Sequence, residues 1–265
     1  MKKIKIAIFG AAGRMGQRLI ALSHADQDLE IVAALEAPNH PKLNQDAGDI
    51  AGIGKIDVPL TADIPSNVQV DVLIDFSSPA ATESLIKLCL DKKIPLVYAT
   101  TGATSEQIQK LTEASKLIPL LMSPSMSMTV CLTMKLAQMA AQALRDKDAD
   151  VEILERHHRF KVDSPSGTAL KFGKIIADEM GIDQFSFGRE GKVGARPHNE
   201  IGYHAIRIGD NPGEHSILFG LLGETMELTV RATNRDAYAS GAIQAAHFLA
   251  NKPIGLYGMD DVLHL

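Results

Sequence analysis

The stretch ERHHRFKVDSPSGTAL, Glu155 to Leu170, gathers two histidines, two arginines and a lysine beside a proline-broken turn. An imidazole titrates near neutrality and can pass a proton during a reaction. Ser166, Gly167 and Thr168 can open a helix, and the N–H groups of a first helical turn bind carboxylate or phosphate. Three readings compete for His157, His158 and Lys161. A metal site is poorly served. Adjacent histidines on an extended chain point to opposite sides, and no Cys or His at ligand spacing completes a set. A solvated charge run is the plain alternative. An anion site with an acid–base group suits the placement better, because an apolar strand precedes the cluster and a helix follows it. Arg235, from a distant strand end, is a further cation for such a site.

A second constellation opens the chain. The strand IKIAIF runs into G-A-A-G-R-M-G, which sets Gly10, Gly13 and Gly16 three residues apart. Gly10 can make the tight turn, Gly13 admits a pyrophosphate to the backbone, and Gly16 lets a helix pack on the strand. Arg14 adds a charge there, and Met15 begins the helical face. Glu36 ends the next strand, where a dinucleotide fingerprint expects a carboxylate for the adenosine ribose. The alternative is an ordinary strand–helix turn with an incidental glutamate. D-F-S-S-P (Asp75–Pro79) and A-T-T-G (Ala99–Gly102) follow later strands, and in a doubly wound sheet such loops face the ligand. On these loops alone simple turn chemistry is the better reading; as candidate cofactor residues they offer Phe76, Ala99 and Thr101, with Ser123 and Met126 beyond the fifth strand. Taken together, the two constellations point to a small carboxylate-bearing substrate reduced or oxidised beside a nicotinamide.

The elements around these residues fall into two patterns. Apolar strands at Ile4–Phe9, Glu30–Leu35, Val70–Phe76, Ile94–Ala99 and Ile118–Met122 alternate with helical segments, and T-S-E-Q at Thr104–Gln107 has the form of a capping box. That alternation predicts an α/β fold, a doubly wound Rossmann-type parallel sheet covered on both faces. Beyond it the periodicity places Leu132, Leu136, Met139 and Ala143 on one face of a long helix, a strand at Val151–Glu155, and a helix with Ala169, Phe172, Ile176 and Met180 inward. YHAIRI, HSILF and TMELTVRAT then read as antiparallel strands, followed by a helix over about Tyr238 to Ala250. The shift from alternation to a run of strands predicts two domains, divided near residue 127.

Composition narrows the class. No run of apolar residues approaches membrane-spanning length, and MKKIKIAIFG reads as a buried first strand, not a signal peptide. Cys89 and Cys131 lack CxxC spacing and read as small core residues of a cytoplasmic protein. A formal net charge of −5 argues against a broad nucleic-acid footprint. The positive cluster must therefore serve something local and small.

At this point the chain resembles a known family. E-R-H-H-R-F-K-V-D-S-P-S-G-T-A is similar to the signature of the 4-hydroxy-tetrahydrodipicolinate reductase (dihydrodipicolinate reductase) family, with a serine where alanine is common. GAAGRMG, IDFSSP, ATTG, G-D-N-P-G-E-H (Gly209–His215) and the D-V-L at Asp261–Leu263 extend the likeness along nearly the whole chain. The resemblance implies a Rossmann-type dinucleotide-binding domain over 1–127 with a C-terminal return at 238–265, a second α+β domain over 128–237 for substrate binding and tetramerisation, and a homotetramer joined through the sheet of that second domain. It implies NAD(P)H-dependent reduction of a cyclic conjugated imine dicarboxylate to tetrahydrodipicolinate, in the diaminopimelate route to lysine. His157 resembles the proton donor and Lys161 the second acid–base and substrate-binding group. His158, Gly167 and Thr168 resemble the carboxylate-binding residues.

Several positions depart from the pattern. Many members carry an arginine after the acidic ribose residue. Here Ala37 and Pro38 follow Glu36, leaving only His40 and Lys42 nearby to meet a 2′-phosphate, so a preference for NADH over NADPH is expected. The loop Ser125–Cys131 reads S-M-S-M-T-V-C where N-F-S-x-G-V-N is frequent, and Met126 and Met128 either pack against the nicotinamide or fill core. Ala99 replaces a frequent glycine, and Ser78 an arginine. Two rivals stand beside this reading. Another amino-acid-pathway dehydrogenase would keep the glycine turn without the histidine block. A non-catalytic NAD(P)H-binding regulator would need neither proton donors nor an anion cradle.

Overall fold

A computed structural model describes residues 2–123 and 125–265. In chain order the elements are β1 (Ile4–Phe9), α1 (Arg14–Ala25), β2 (Leu29–Leu35), α2 (Ala47–Ala51), β3 (Leu60–Thr61), β4 (Val72–Asp75), α3 (Thr82–Lys92), β5 (Leu96–Tyr98), α4 (Ser105–Ala114) and β6 (Pro119–Met122). There follow α5 (Met128–Leu144), β7 (Asp150–His157), α6 (Gly167–Met180), β8 (Gln184–Phe187), β9 (Glu200–Arg207), β10 (Glu214–Leu221), β11 (Glu224–Arg231), α7 (Asp236–Leu249), β12 (Gly255–Tyr257) and α8 (Met259–Leu263). The chain divides into two compact units, the residues through Met128 with Arg235–His264, and Thr129–Asn234.

The first unit is built on a seven-stranded sheet in the order β12-β6-β5-β4-β1-β2-β3, with every paired strand parallel. This is doubly wound topology, with the strand order reversing between β1 and β4. The strands are apolar throughout because both faces are covered. Ile6, Ile8, Leu73, Ile74, Leu96 and Leu120 have no exposed surface. Thr104 caps α4 as its sequence requires: its hydroxyl accepts from Gln107 N at 3.2 Å, while Thr104 N donates to Gln107 Oε1 at 2.9 Å. The strand β12 and the helix α7 complete this unit from the end of the chain. Arg18 donates to both carboxylate oxygens of Asp236 at 2.7 and 2.8 Å, and His247 pairs with Asp26 at 2.9 Å, so α7 is fastened to α1.

The second unit has a five-stranded sheet in the order β11-β10-β7-β9-β8. The three strands expected to be antiparallel do alternate in direction, but β9 does not pair with β10, because β7 lies between them. β9 lies parallel to both β7 and β8, and only β10 and β11 run antiparallel to their neighbours. The loop over residues 188–199 explains it, since a connection of about a dozen residues is long enough to carry the chain back and start a parallel strand. Val151, Ile153, Ile217, Phe219 and Tyr203 meet α5 and α6 through Ala137, Phe172 and Ile176 in one core. The predicted stripe on α5 faces outward. Leu132, Leu136 and Met139 are 41%, 41% and 55% exposed, while Val130, Met134, Ala137 and Ala141 are buried. The small alanines allow close packing on the sheet, and this outweighs the larger apolar stripe.

Candidate active site

The glycine turn in the first unit has the geometry that its spacing requires. Gly10 is left-handed at φ +78°, and an added Cβ would lie 2.9 Å from Ser77 Cα. Gly10 and Ala11 donate their N–H groups to Leu35 O at 3.0 Å each, which ties the turn to β2. A Cβ at Gly16 would collide with the Gly10 carbonyl and the Ala11 backbone, so only glycine lets α1 start this close. A cavity of about 730 Å³ opens beside the turn, lined by Gly10, Gly13, Glu36, Ala37, Asp63, Phe76 and Ser77 among others. A glycine turn, a helix N-terminus and a carboxylate at the end of the next strand suit a dinucleotide.

The two loops expected to face that ligand are pinned together by one residue. Asp75 is fully buried and accepts from Ser77 N at 3.0 Å, Ser77 Oγ at 2.6 Å and Thr100 Oγ1 at 2.7 Å. Burial pushes its carboxyl up, and the Ser77 and Thr100 donors offset only part of that.

The second unit carries the histidine cluster. The strand β7 does not stop at Glu155 but runs through His157, so Glu155 and His157 share a face by the two-residue period of a strand. Glu155 is 1% exposed and His157 7%. His157 Nδ1 lies 2.5 Å from Glu155 Oε2. Arg207, paired with His157 in the β7–β9 register, donates to both oxygens of Glu155 at 2.9 and 2.8 Å. Ser166 N adds a fourth donor at 3.0 Å. Burial raises the Glu155 carboxyl, but Arg207 and His157 outweigh it and hold it below the usual range. Burial lowers His157, and the Glu155 carboxylate only partly restores it. His215 of β10 meets the His157 ring edge-on at 5.3 Å and Ser166 Oγ at 3.1 Å. Burial, with the neighbouring His157, drives its imidazole down to about 4.

Around this pair stand the other expected residues. Ser166 caps α6 by accepting from Ala169 N at 3.2 Å, which leaves Gly167 and Thr168 in the first turn. The Lys161 ammonium pairs with Asp163 at 2.8 Å. His158 Nδ1 is a buried polar atom with no hydrogen-bond partner in the protein. His157, His158, Lys161, Gly167 and Thr168 thus lie at the end of β7 and the start of α6.

In the first unit the cavity gathers Gly10, Gly13, Glu36 and Phe76. Its lining does not include Arg14, Met15, Ala99, Thr101, Ser123 or Met126. Met126 is 3% exposed and its carbonyl is where a Cβ on Gly241 would fall, so it fills core. Arg235 is corrected: β11 ends at Arg231, and Arg235 stands at the N-terminal boundary of α7 in the first unit. Among the described residues, no group of three His, Cys, Asp or Glu could hold a metal ion. No helix among them is long and apolar enough to cross a membrane. Sequence reasoning missed Arg207 and His215, which no spacing connects to His157. Glu155 and His157 were separated by one residue of an alternating strand, and that was the available signal.

A glycine cradle on a doubly wound sheet, in one chain with a buried imidazole–carboxylate pair beside a helix N-terminus, is the equipment of a dinucleotide-dependent oxidoreductase. The comparisons specify which. Residues 4–126 match the family model described as dihydrodipicolinate reductase, N-terminus, and residues 129–263 match dihydrodipicolinate reductase, C-terminus. A 4-hydroxy-tetrahydrodipicolinate reductase of Rhodopirellula baltica is 49% identical, covering 98% of this chain and 96% of the relative. One from Alkalilimnicola ehrlichii is 45% identical over 98% and 99%. A solved dipicolinate-bound dihydrodipicolinate reductase from Paenisporosarcina sp. TG-14 superposes with a TM-score of 0.78 at 26% identity, covering 98% of this chain and 99% of that one. The chain belongs to the dihydrodipicolinate reductase family.

Proposed function

We propose that this protein reduces 4-hydroxy-tetrahydrodipicolinate, through its conjugated ring imine, to tetrahydrodipicolinate, as a cytoplasmic enzyme of the diaminopimelate route to lysine. The observation that carries this reading is the meeting of a buried His157–Glu155 pair, Lys161 and the first turn of α6 at one strand end. A bound nicotinamide dinucleotide supplies the hydride. The chain's own residues do the rest. The α6 N–H groups, His158 and Thr168 receive the substrate carboxylates. Lys161 leaves Asp163 to face the added negative charge. His157, protonated on the ring nitrogen away from Glu155, delivers the proton that completes reduction.

In the first unit Gly10 and Gly13 admit the pyrophosphate, and Glu36 takes the adenosine ribose hydroxyls. The cofactor preferred is NADH. Glu36 and Asp63 both line the cavity, whereas His40 and Lys42 do not. A 2′-phosphate would therefore meet two carboxylates and neither of those cations. The assembly is a homotetramer joined through the open face of the second sheet. There Leu154 and Ile206 stand among charged residues, Ile206 at 38% exposure.

The test is oxidation of NADH and NADPH with substrate freshly made from pyruvate and aspartate semialdehyde by a synthase. Rapid substrate-dependent oxidation is expected, with kcat/KM higher for NADH. His157→Gln should lower kcat by about 10²–10⁴ with NADH binding retained. Inactive wild type that still binds NADH would refute the reaction, and an unchanged kcat in the variant would remove His157 from it. A single-chain mass by light scattering would refute the tetramer.

A further inference from the structure

Glu155 is saturated as an acceptor. His157 Nδ1, Ser166 N and both terminal nitrogens of Arg207 point into one buried carboxylate, two donors to each oxygen. An Arg207 fork on both oxygens keeps the group ionised, and an ionised carboxylate cannot donate. The hydrogen of the 2.5 Å contact must then belong to the imidazole. That fixes a tautomer the bare geometry leaves open. The same carboxylate holds the backbone N–H of Ser166, the N-cap residue from which α6 begins.

We propose that Glu155 is a positioning residue, whose carboxylate holds His157 in the Nδ1–H tautomer and ties that ring to the start of the anion-binding turn of α6. The inference rests on reading His157 as the proton donor and deepens it. With Nδ1 committed, the exchangeable proton is confined to Nε2, the only ring position left for substrate. Glu155 also favours the imidazolium formed when Nε2 takes up its proton. The groups facing His157 are Glu155 on its own strand, Arg207 on β9, His215 on β10 and Lys161 in the following loop. Glu155 is the one anion among them. Of the other three, two are the basic side chains of Arg207 and Lys161, and burial holds the His215 imidazole down at about 4.

Nitrogen NMR of ¹⁵N-histidine-labelled protein tests this, with His157→Gln identifying the signal. Wild type should show protonated Nδ1 and unprotonated Nε2 at neutral pH. In Glu155→Gln the tautomer preference should be lost, and the His157 midpoint should fall by about one to three units, as expected when a contacting opposite charge is removed. The high-pH fall of kcat should move to lower pH by the same amount. Glu155→Asp, which keeps the charge, should restore the midpoint towards wild type. Loss of kcat with tautomer and midpoint both unchanged would reduce Glu155 to a structural partner of Arg207 and overturn the proposal. So would an Nε2–H tautomer in wild type, a result available even if the glutamine variant fails to fold. A wild type without reductase activity whose Nδ1–H tautomer is lost in Glu155→Gln would sink the assigned reaction and keep the tautomer lock.

Discussion

Asp75 ends β4 in the first unit, Glu155 lies two residues before the end of β7 in the second, and they are 0% and 1% exposed. Each accepts several hydrogen bonds and each joins separate loops. Their protonation equilibria nevertheless move in opposite directions, up for Asp75 and down for Glu155. The donors explain it. Asp75 meets two hydroxyls and one amide, which are neutral, so desolvation wins. Glu155 meets the forked guanidinium of Arg207, and a full charge at that range outweighs burial. Number of hydrogen bonds alone does not decide whether a buried carboxyl stays charged; the charge of the donors does. One residue fastens loops, and the other can support an imidazolium.

Three experiments would break or sharpen this contrast. The largest effect should come from Glu155→Ala, which leaves Arg207 without its buried partner and should cost about 3–5 kcal/mol in urea unfolding. A loss below 1 kcal/mol would mean that the pair is no more than a surface contact. Next is acid sensitivity. With its folded pKa depressed to about 4, His215 contributes stability that is present above its unfolded pKa near 6.5. That contribution is lost as pH falls through the folded value. The loss should be on the order of 3 kcal/mol, with His157 adding to it, and His215→Gln should make the slope shallower. An identical slope would place the acid-sensitive group elsewhere. The smallest effect should be Asp75→Asn, under about 1 kcal/mol at neutral pH. The amide oxygen can serve Ser77, and the Thr100 hydroxyl can turn to accept from the amide nitrogen. Asp75 has a raised folded pKa, so its stabilisation is full below about pH 3.9 and is lost as pH rises through the folded value. The asparagine variant should lack that loss. A variant destabilised as much as Glu155→Ala would erase the distinction.

The order of elements could be read from the sequence because it rests on local rules. Apolar runs between glycine turns gave the parallel sheet, and the capping box at Thr104 gave the start of α4. The shortest elements left no such trace. β3 has only Leu60 and Thr61, and its pairing with β2 is what makes it a strand. The neighbours of β9 were missed because alternation reports which face is buried and not which strand lies alongside. At the site, His157, Lys161 and the α6 turn were visible as one contiguous block. Arg207 and His215 lie far along the chain, and only the register of β9 and β10 against β7 brings them to the imidazole. Pairing of that kind is a tertiary fact, outside the reach of any short window.

The return of the chain to the first sheet has a consequence for synthesis. β12 pairs with β6, and α7 buries Ala239, Ala242, Ala245, Ala246 and Leu249 in the same unit, from residues made after the whole of the second unit. As the chain leaves the ribosome, Thr129–Asn234 is available in one uninterrupted piece, while the strands made first still lack an edge partner and a covering helix. The second unit can therefore close on itself as soon as Asn234 is made, whereas the first must wait for the residues from Arg235 onward, and its open sheet is exposed to misassembly until they arrive.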